Sequence, residues 1–266
     1  MTDKPGVGIQ RIDSTYRGKP THHYKIDGQR ADGVTTLIGD GLPKPALLPW
    51  GIKSVAEYAA DHLDRLVEMQ PMGREAIVAA LKQAPYTDRD LAAKRGTEVH
   101  ALAEQLIHGI EVDVPQELVG HVESCVQFLD EWKVRPVIVE AVVASRQWRY
   151  CGTLDVVADL PDGSRSIMDY KTSRSGIFGE TALQLAAYAH AEVYLDGEDE
   201  KPVSDLGITA GHAVWIRADG YDVYPVDISE QTFKTFCHVA YCARKGKGLR
   251  DLIGSPLSAP STEAVA

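Results

Sequence analysis

Between residues 150 and 188 two apolar runs, 154–160 and 167–168, are joined by Pro161-Asp162-Gly163-Ser164. Proline presets φ and glycine supplies positive φ, so the segment is predicted to double back as a β-hairpin. Each strand nonetheless carries an acid where a buried strand is apolar: Asp155 beside Leu154 and Val156, and Asp169 after Ile167 and Met168. Residues two apart on a strand share a face, so Asp169 and Lys171 project together. Pairing across the turn brings Asp155 and Asp169 side by side. Two carboxylates and an ammonium at one sheet edge suit a hard divalent cation and a phosphate. The bland alternative is a buried Asp–Lys ion pair, which is a weak stabiliser. The second acid, and the helix that follows, favour a site.

That helix is predicted over 180–194. Gln184 and Tyr188 are four apart and share one face, while Leu183, Ala186, Ala187 and Val193 serve packing. In this order, Gly152-Thr-Leu-Asp155, Asp169-Tyr-Lys171-Thr and Gln184-x-x-x-Tyr188 resemble the RecB-type branch of the PD-(D/E)XK nuclease superfamily. That branch includes CRISPR-associated RecB-like exonucleases and phage-encoded nucleases, and the resemblance covers about residues 96–190. It implies an α/β fold with a restriction-endonuclease-like core, a central mixed β-sheet flanked by helices in the order α-β-β-β-α-β, and a helical N-terminal arm. The corresponding division is 1–86 for the hairpin and arm, 87–254 for the core and 255–266 for a disordered tail.

The resemblance also implies roles. Asp155 and Asp169 would coordinate Mg²⁺ or Mn²⁺, with His100 and the backbone carbonyl of Tyr170 completing the ligands. Lys171 would orient the attacking water or steady the transition state, and Gln184 and Tyr188 would brace the site. His100 closes the segment Gly96-Thr-Glu-Val-His100, which matches a G-x-x-x-H segment of the family. Read from its helix alone, it is more readily a hydrogen-bonded histidine. Glu104, one turn on, and Glu140, in a strand predicted over 137–145, are supporting candidates, and each also reads as a surface glutamate. Arg146, Arg149 and Arg174 flank the motifs and are candidates for phosphate contacts. The family's iron–sulfur pattern is not matched, because no cysteine precedes Gly96 and only Cys237 and Cys242 follow Gln184.

The activity implied is a metal-dependent deoxyribonuclease, an exonuclease acting from DNA ends in recombination, repair or phage DNA processing. No nucleotide cofactor is expected. There is no G-x-x-x-x-G-K-[S/T] loop, so a helicase or recombination protein would be a separate partner. The chain carries no recognisable base-reading module, which favours end processing over site-specific cutting. The rivals are a non-catalytic DNA-binding or assembly module and a structure-selective endonuclease. A formal net charge of −10 argues against coating nucleic acid through phosphates alone. The four scattered cysteines and the lack of a signal-like apolar segment point to a reducing cytoplasm.

Elsewhere, residues 1–20 read as irregular, and 22–26 and 34–38 as a hairpin around Asp27-Gly28. Helices are predicted over 52–67, 74–83 and 116–132. A capping box at Thr87-Asp88-Arg89-Asp90 would open another helix that stops at Gly109. Residues 196–205 read as a polar loop, followed by strands at 213–216 and 223–228 and a helix over 231–244.

Overall fold

A computed structural model of the chain describes residues 8–16, 18–107, 110 and 112–258, and leaves aside the side chains of residues 19, 20 and 87–93. The elements begin with β1 (Ile9–Tyr16), β2 (Lys19–Ile26), β3 (Gln29–Gly33), α1 (Val34–Gly41), α2 (Leu47–Asp61), α3 (Leu63–Glu68), α4 (Arg74–Ile107) and α5 (Val119–Glu131). Then come β4 (Arg135–Val139), β5 (Val142–Ser145), β6 (Tyr150–Thr153), β7 (Val156–Asp159), β8 (Arg165–Lys171) and α6 (Glu180–Ala189). The last are β9 (Val193–Asp196), β10 (Asp199–Pro202), β11 (Ala210–Arg217), β12 (Gly220–Pro225) and α7 (Glu230–Gly246).

The fold is α/β, with two mixed sheets flanked by helices. One sheet has the order β1-β2-β3-β6-β5-β9-β10 and the other β12-β11-β8-β7-β4. They meet at a corner. The strand expected over 137–145 is two strands, β4 and β5, which belong to different sheets. The chain turns between them at Glu140, whose φ of 51° is unusual for a residue with a Cβ. The facing run breaks at Leu154–Asp155, between β6 and β7. Across the corner the Glu140 amide donates to the Asp155 carbonyl (2.8 Å) and the Leu154 amide to that of Ala141 (3.0 Å). The bend therefore sets Glu140 beside Asp155.

β8 is buried on both faces, which accounts for its near-continuous apolar run. Ile167 packs with Leu37 of α1, Leu185 of α6 and Phe236 of α7. Met168 and Tyr170 point the other way, onto Ala103 of α4 and Phe128 of α5.

Several expectations are corrected. β1, with only Ile9 buried, is a polar strand held by β2, so its sequence lacks an apolar signal. Residues 34–38 are helical: Val34, Leu37 and Ile38 face the core at helical spacing while Thr35 and Thr36 are exposed, and their β-branched composition yields to that packing. The boundary expected at residue 86 falls inside α4, a 34-residue helix that runs through Pro85, so the capping-box residues lie within a helix. The expected stop at Gly109 lies outside the described residues, as do residues 259–266 of the tail. The described residues from Gly8 to Gly41 join the sheet and the cores, and among the described residues α2 and α3, which have no buried residue, stand out as an arm. The helix of Gln184 ends at Ala189, and Val193 opens β9 against β5. Residues 199–202, expected in a loop, form β10. Among the described residues no helix is long and apolar enough to cross a membrane.

Candidate active site

The site forms at the C-terminal end of β8, where α4 approaches from one side and α6 from the other. β7 and β8 pair antiparallel with Val156 opposite Met168, and continuing that register sets Asp155 opposite Asp169. Asp169 is only 2% exposed. Its Oδ1 accepts from Gln184 Nε2 at 2.8 Å. Lys171 Nζ lies 2.6 Å from its Oδ2. Among the described residues that ammonium is the polar group set against this buried oxygen.

Gln184 is suited to its place because an amide offers one acceptor and one donor group. Its Oε1 accepts from Lys171 Nζ at 3.2 Å, while Nε2 serves Asp169 and also donates to the Tyr188 hydroxyl at 3.3 Å. A carboxylate there would repel Asp169.

Tyr188 is buried, and its ring rests on Gly152. A Cβ built on Gly152 would lie 2.3 Å from Tyr188 Cε1. The glycine of the Gly152-Thr-Leu-Asp155 motif is thus required by the tyrosine 36 positions later. Gly152→Ala is expected to destabilise the protein by about 1–3 kcal/mol, the usual cost of overpacking. It should also slow catalysis, because the displaced ring supports Gln184. Thermal denaturation beside an activity assay checks this, and an unchanged midpoint contradicts it.

His100 reaches the site from α4. Its Nδ1 lies 3.4 Å from Asp155 Oδ2, which also accepts the Tyr170 amide at 2.8 Å. Gly96 of the same helix faces Thr172, whose Oγ1 would be 3.2 Å from a Cβ there. An alanine there would need the Thr172 side chain to give by a few tenths of an ångström.

Ligand atoms of His100, Glu140 and Asp155 all lie within 4.8 Å of one another. Glu140, expected only as a supporting residue, thereby joins His100 and Asp155. Nothing near Glu140 in the sequence signals this, since the corner that places it rests on pairing with a segment 15 residues away.

The electrostatics are those of a site short of positive charge. Burial, with the Asp155 charge added, pushes the Glu140 carboxyl up to about 7. The same two causes push Asp169 up to about 6. Burial also opposes ionisation of Asp155, but the charge and hydrogen bond of His100 outweigh it and hold Asp155 below the usual range. For His100 burial favours the neutral ring, yet Asp155 overcomes it and raises the imidazole to about 9. A proton on His100 does here, in part, what a bound cation would do. The imidazole of His100 and the carboxylate oxygens of Glu140 and Asp155 fit a divalent ion of the Mg²⁺ or Mn²⁺ type, with Asp169 beside them taken up by Lys171 and Gln184.

The remaining candidates separate clearly. Glu104 sits one turn beyond His100, and its charge is felt by Glu140. Tyr170 turns its phenol to the opposite face, where the ring meets Phe128 edge-on. Arg146 is corrected: its guanidinium is taken up by Asp27 (3.1 Å) and Glu200 (2.8 Å). Arg149 is corrected too, since its side chain bonds Gln29 at 3.1 Å. Both lie at the end of β6 away from Asp155. Arg174 alone of the three is near, exposed and without a partner among the described residues.

No protein-family model matches the chain, and no curated protein sequence matches it. Among solved structures the chain is similar to the crystal structure of SSO0001, at 13% identity, covering 84% of this chain and 76% of that one, with a TM-score of 0.29. A likeness at that score carries no argument about fold or function.

Proposed function

We propose that the chain is a divalent-metal-dependent deoxyribonuclease of the PD-(D/E)XK superfamily, RecB-type, acting as an exonuclease from DNA ends. In this reading β4, β7, β8 and β11 with α4 and α6 form the restriction-endonuclease-like core. The observation that carries it is the convergence of His100, Glu140 and Asp155 beside the Asp169–Lys171–Gln184 network. Separate accidents of packing do not account for three ligand-type groups and a held lysine at one strand end.

His100, Asp155 and Asp169, with Glu140 and the Tyr170 carbonyl, would hold the ion. When bound, a divalent cation neutralises phosphate charge and lowers the pKa of a coordinated water. Lys171, held by Gln184, is aimed by its ammonium at a phosphate oxygen and stabilises the charge that develops there; while protonated it is no base. Tyr188 keeps Gln184 in place, and Arg174 meets a neighbouring phosphate. A purely DNA-binding module has no need of such ligands, which speaks against that alternative.

End-directed action is supported by the arm of α2 and α3, in which α2 packs on α4, the helix that carries His100. Lys44, in the connection leading to the arm, is tied to Glu180 of α6 at 2.8 Å. With Mg²⁺ or Mn²⁺, linear DNA is expected to be degraded from its termini to short products while covalently closed circles persist. Cutting of closed circles at discrete positions would replace the exonuclease by an endonuclease. Intact linear DNA with both metals would remove the nuclease reading.

A further inference from the structure

Beside the site lies a cavity of about 480 Å³ whose walls include Ile177, Phe178, Trp215, Tyr224 and Pro225. That volume falls in the range that admits a small planar group. Its position follows from strand register. β11 runs parallel to β8 with Trp215 opposite Lys171 and Ala213 opposite Asp169. β12 in turn sets Tyr224 opposite Ala213. Register partners share a sheet face. One row therefore reads Asp169–Ala213–Tyr224, with the small alanine in the middle, and the next begins Lys171–Trp215. Tyr224 is two strand spacings, about 10 Å, from Asp169.

The aromatic residues are held for contact. Trp215 donates its Nε1–H to the Ser173 carbonyl at 2.7 Å, so its polar atom is satisfied. The Arg217 guanidinium lies 4.2 Å from the centre of its ring. Phe178 and Tyr224 are 52% and 41% exposed, which is costly for rings with nothing to cover them. Arg174, unpaired and exposed, precedes the loop that carries Phe178.

We propose, resting on the nuclease reading above, that this cavity receives an unpaired nucleobase of the strand whose phosphate lies at Asp169 and Lys171. The preferred substrate is then single-stranded nucleic acid, including the frayed end of a duplex. A paired base is covered on both faces by its neighbours and cannot enter. Aromatic faces stack on every base, so the pocket is indifferent to sequence. Stacking also suits a chain of net charge −10, which gains little from phosphate neutralisation over its whole surface.

The test is binding of a fluorescent single-stranded oligothymidylate, followed by anisotropy in EDTA at several salt concentrations. Phe178→Ala and Tyr224→Ala should each raise Kd about tenfold, the size of one base–aromatic stack, with the same slope of log Kd against log salt. In the parent protein an abasic analogue, placed in turn at each position, should weaken binding about tenfold at one position, and that loss should vanish in Phe178→Ala. Both side chains are exposed, so the variants should melt with the parent. Parent-like Kd in both variants, or an abasic loss that persists undiminished in Phe178→Ala, overturns the proposal. Because binding is read without metal, the pocket is tested whether or not the parent cuts, and a parent that fails to cut in Mn²⁺ removes only the nuclease reading.

Discussion

Asp169→Asn and Lys171→Ala are each expected to lower the rate of DNA cutting by about 10²- to 10³-fold or more, the loss that follows removal of a group aimed at developing charge. Neither should unfold the protein. Asp169 is buried and is held up to about 6 by burial and by the charge of Asp155, which outweigh the Lys171 ammonium beside it. Its folded value lies above its unfolded one, so its contribution to stability is full below about pH 4 and is lost as the pH rises through 6. Above that range the charged aspartate costs stability, on the order of 3 kcal/mol for a shift of this size. A permanently neutral asparagine escapes the cost. Asp169→Asn should therefore melt several degrees higher than the parent at pH 8 in EDTA, and level with it near pH 4. Melting curves at the two pH values, beside a cutting assay, test both halves. A variant that cuts at the parent rate removes Asp169 or Lys171 from the chemistry.

The second large effect is on metal affinity. His100 carries its proton up to about pH 9, and an incoming cation must displace it. Apparent Mn²⁺ affinity should rise about tenfold per pH unit between 7 and 9 while this one proton is displaced. Below 7 the rise should be steeper, because Glu140 is protonated as well. His100→Ala should weaken Mn²⁺ binding at pH 9 by at least about tenfold, since even an outer partner of a ligand is worth that much. It should also flatten the dependence between 7 and 9, which loss of packing alone would not do. Glu140→Gln should remove the steepening between 6 and 7, leaving below 6 the part due to Asp169. Calorimetric titration of the metal-free protein measures all three. An unchanged affinity in His100→Ala returns that residue to a hydrogen-bonded helix histidine.

The two networks differ in how far apart in the chain their causes lie. The turn at Pro161–Ser164, the shared face of Asp169 and Lys171, and the shared face of Gln184 and Tyr188 were legible in the residues themselves. Each depends on a strand period of two or a helix period of 3.6, set by backbone geometry over a few positions. The opposition of Asp155 and Asp169 followed from the same turn, because a tight hairpin leaves little freedom of register.

What only the tertiary structure decided involves residues that meet across long stretches of chain. Glu140 joins the ligands because two sheets share a bent hairpin, and a residue forced to positive φ at that corner has no sequence mark. Gly152 looked like part of a motif, and its cause is the Tyr188 ring. The arginines were read by charge and nearness in sequence, but Arg146 finds Asp27, 119 residues away, at the far end of its strand. β1 is too polar to announce itself and exists because β2 pairs with it. α4 continues through Pro85, where local propensity predicted a break, and the same helix delivers His100 to Asp155. Local periodicity reports which residues share a face; which faces then meet is settled by burial and pairing between distant segments, and those terms are absent from any short window of the chain.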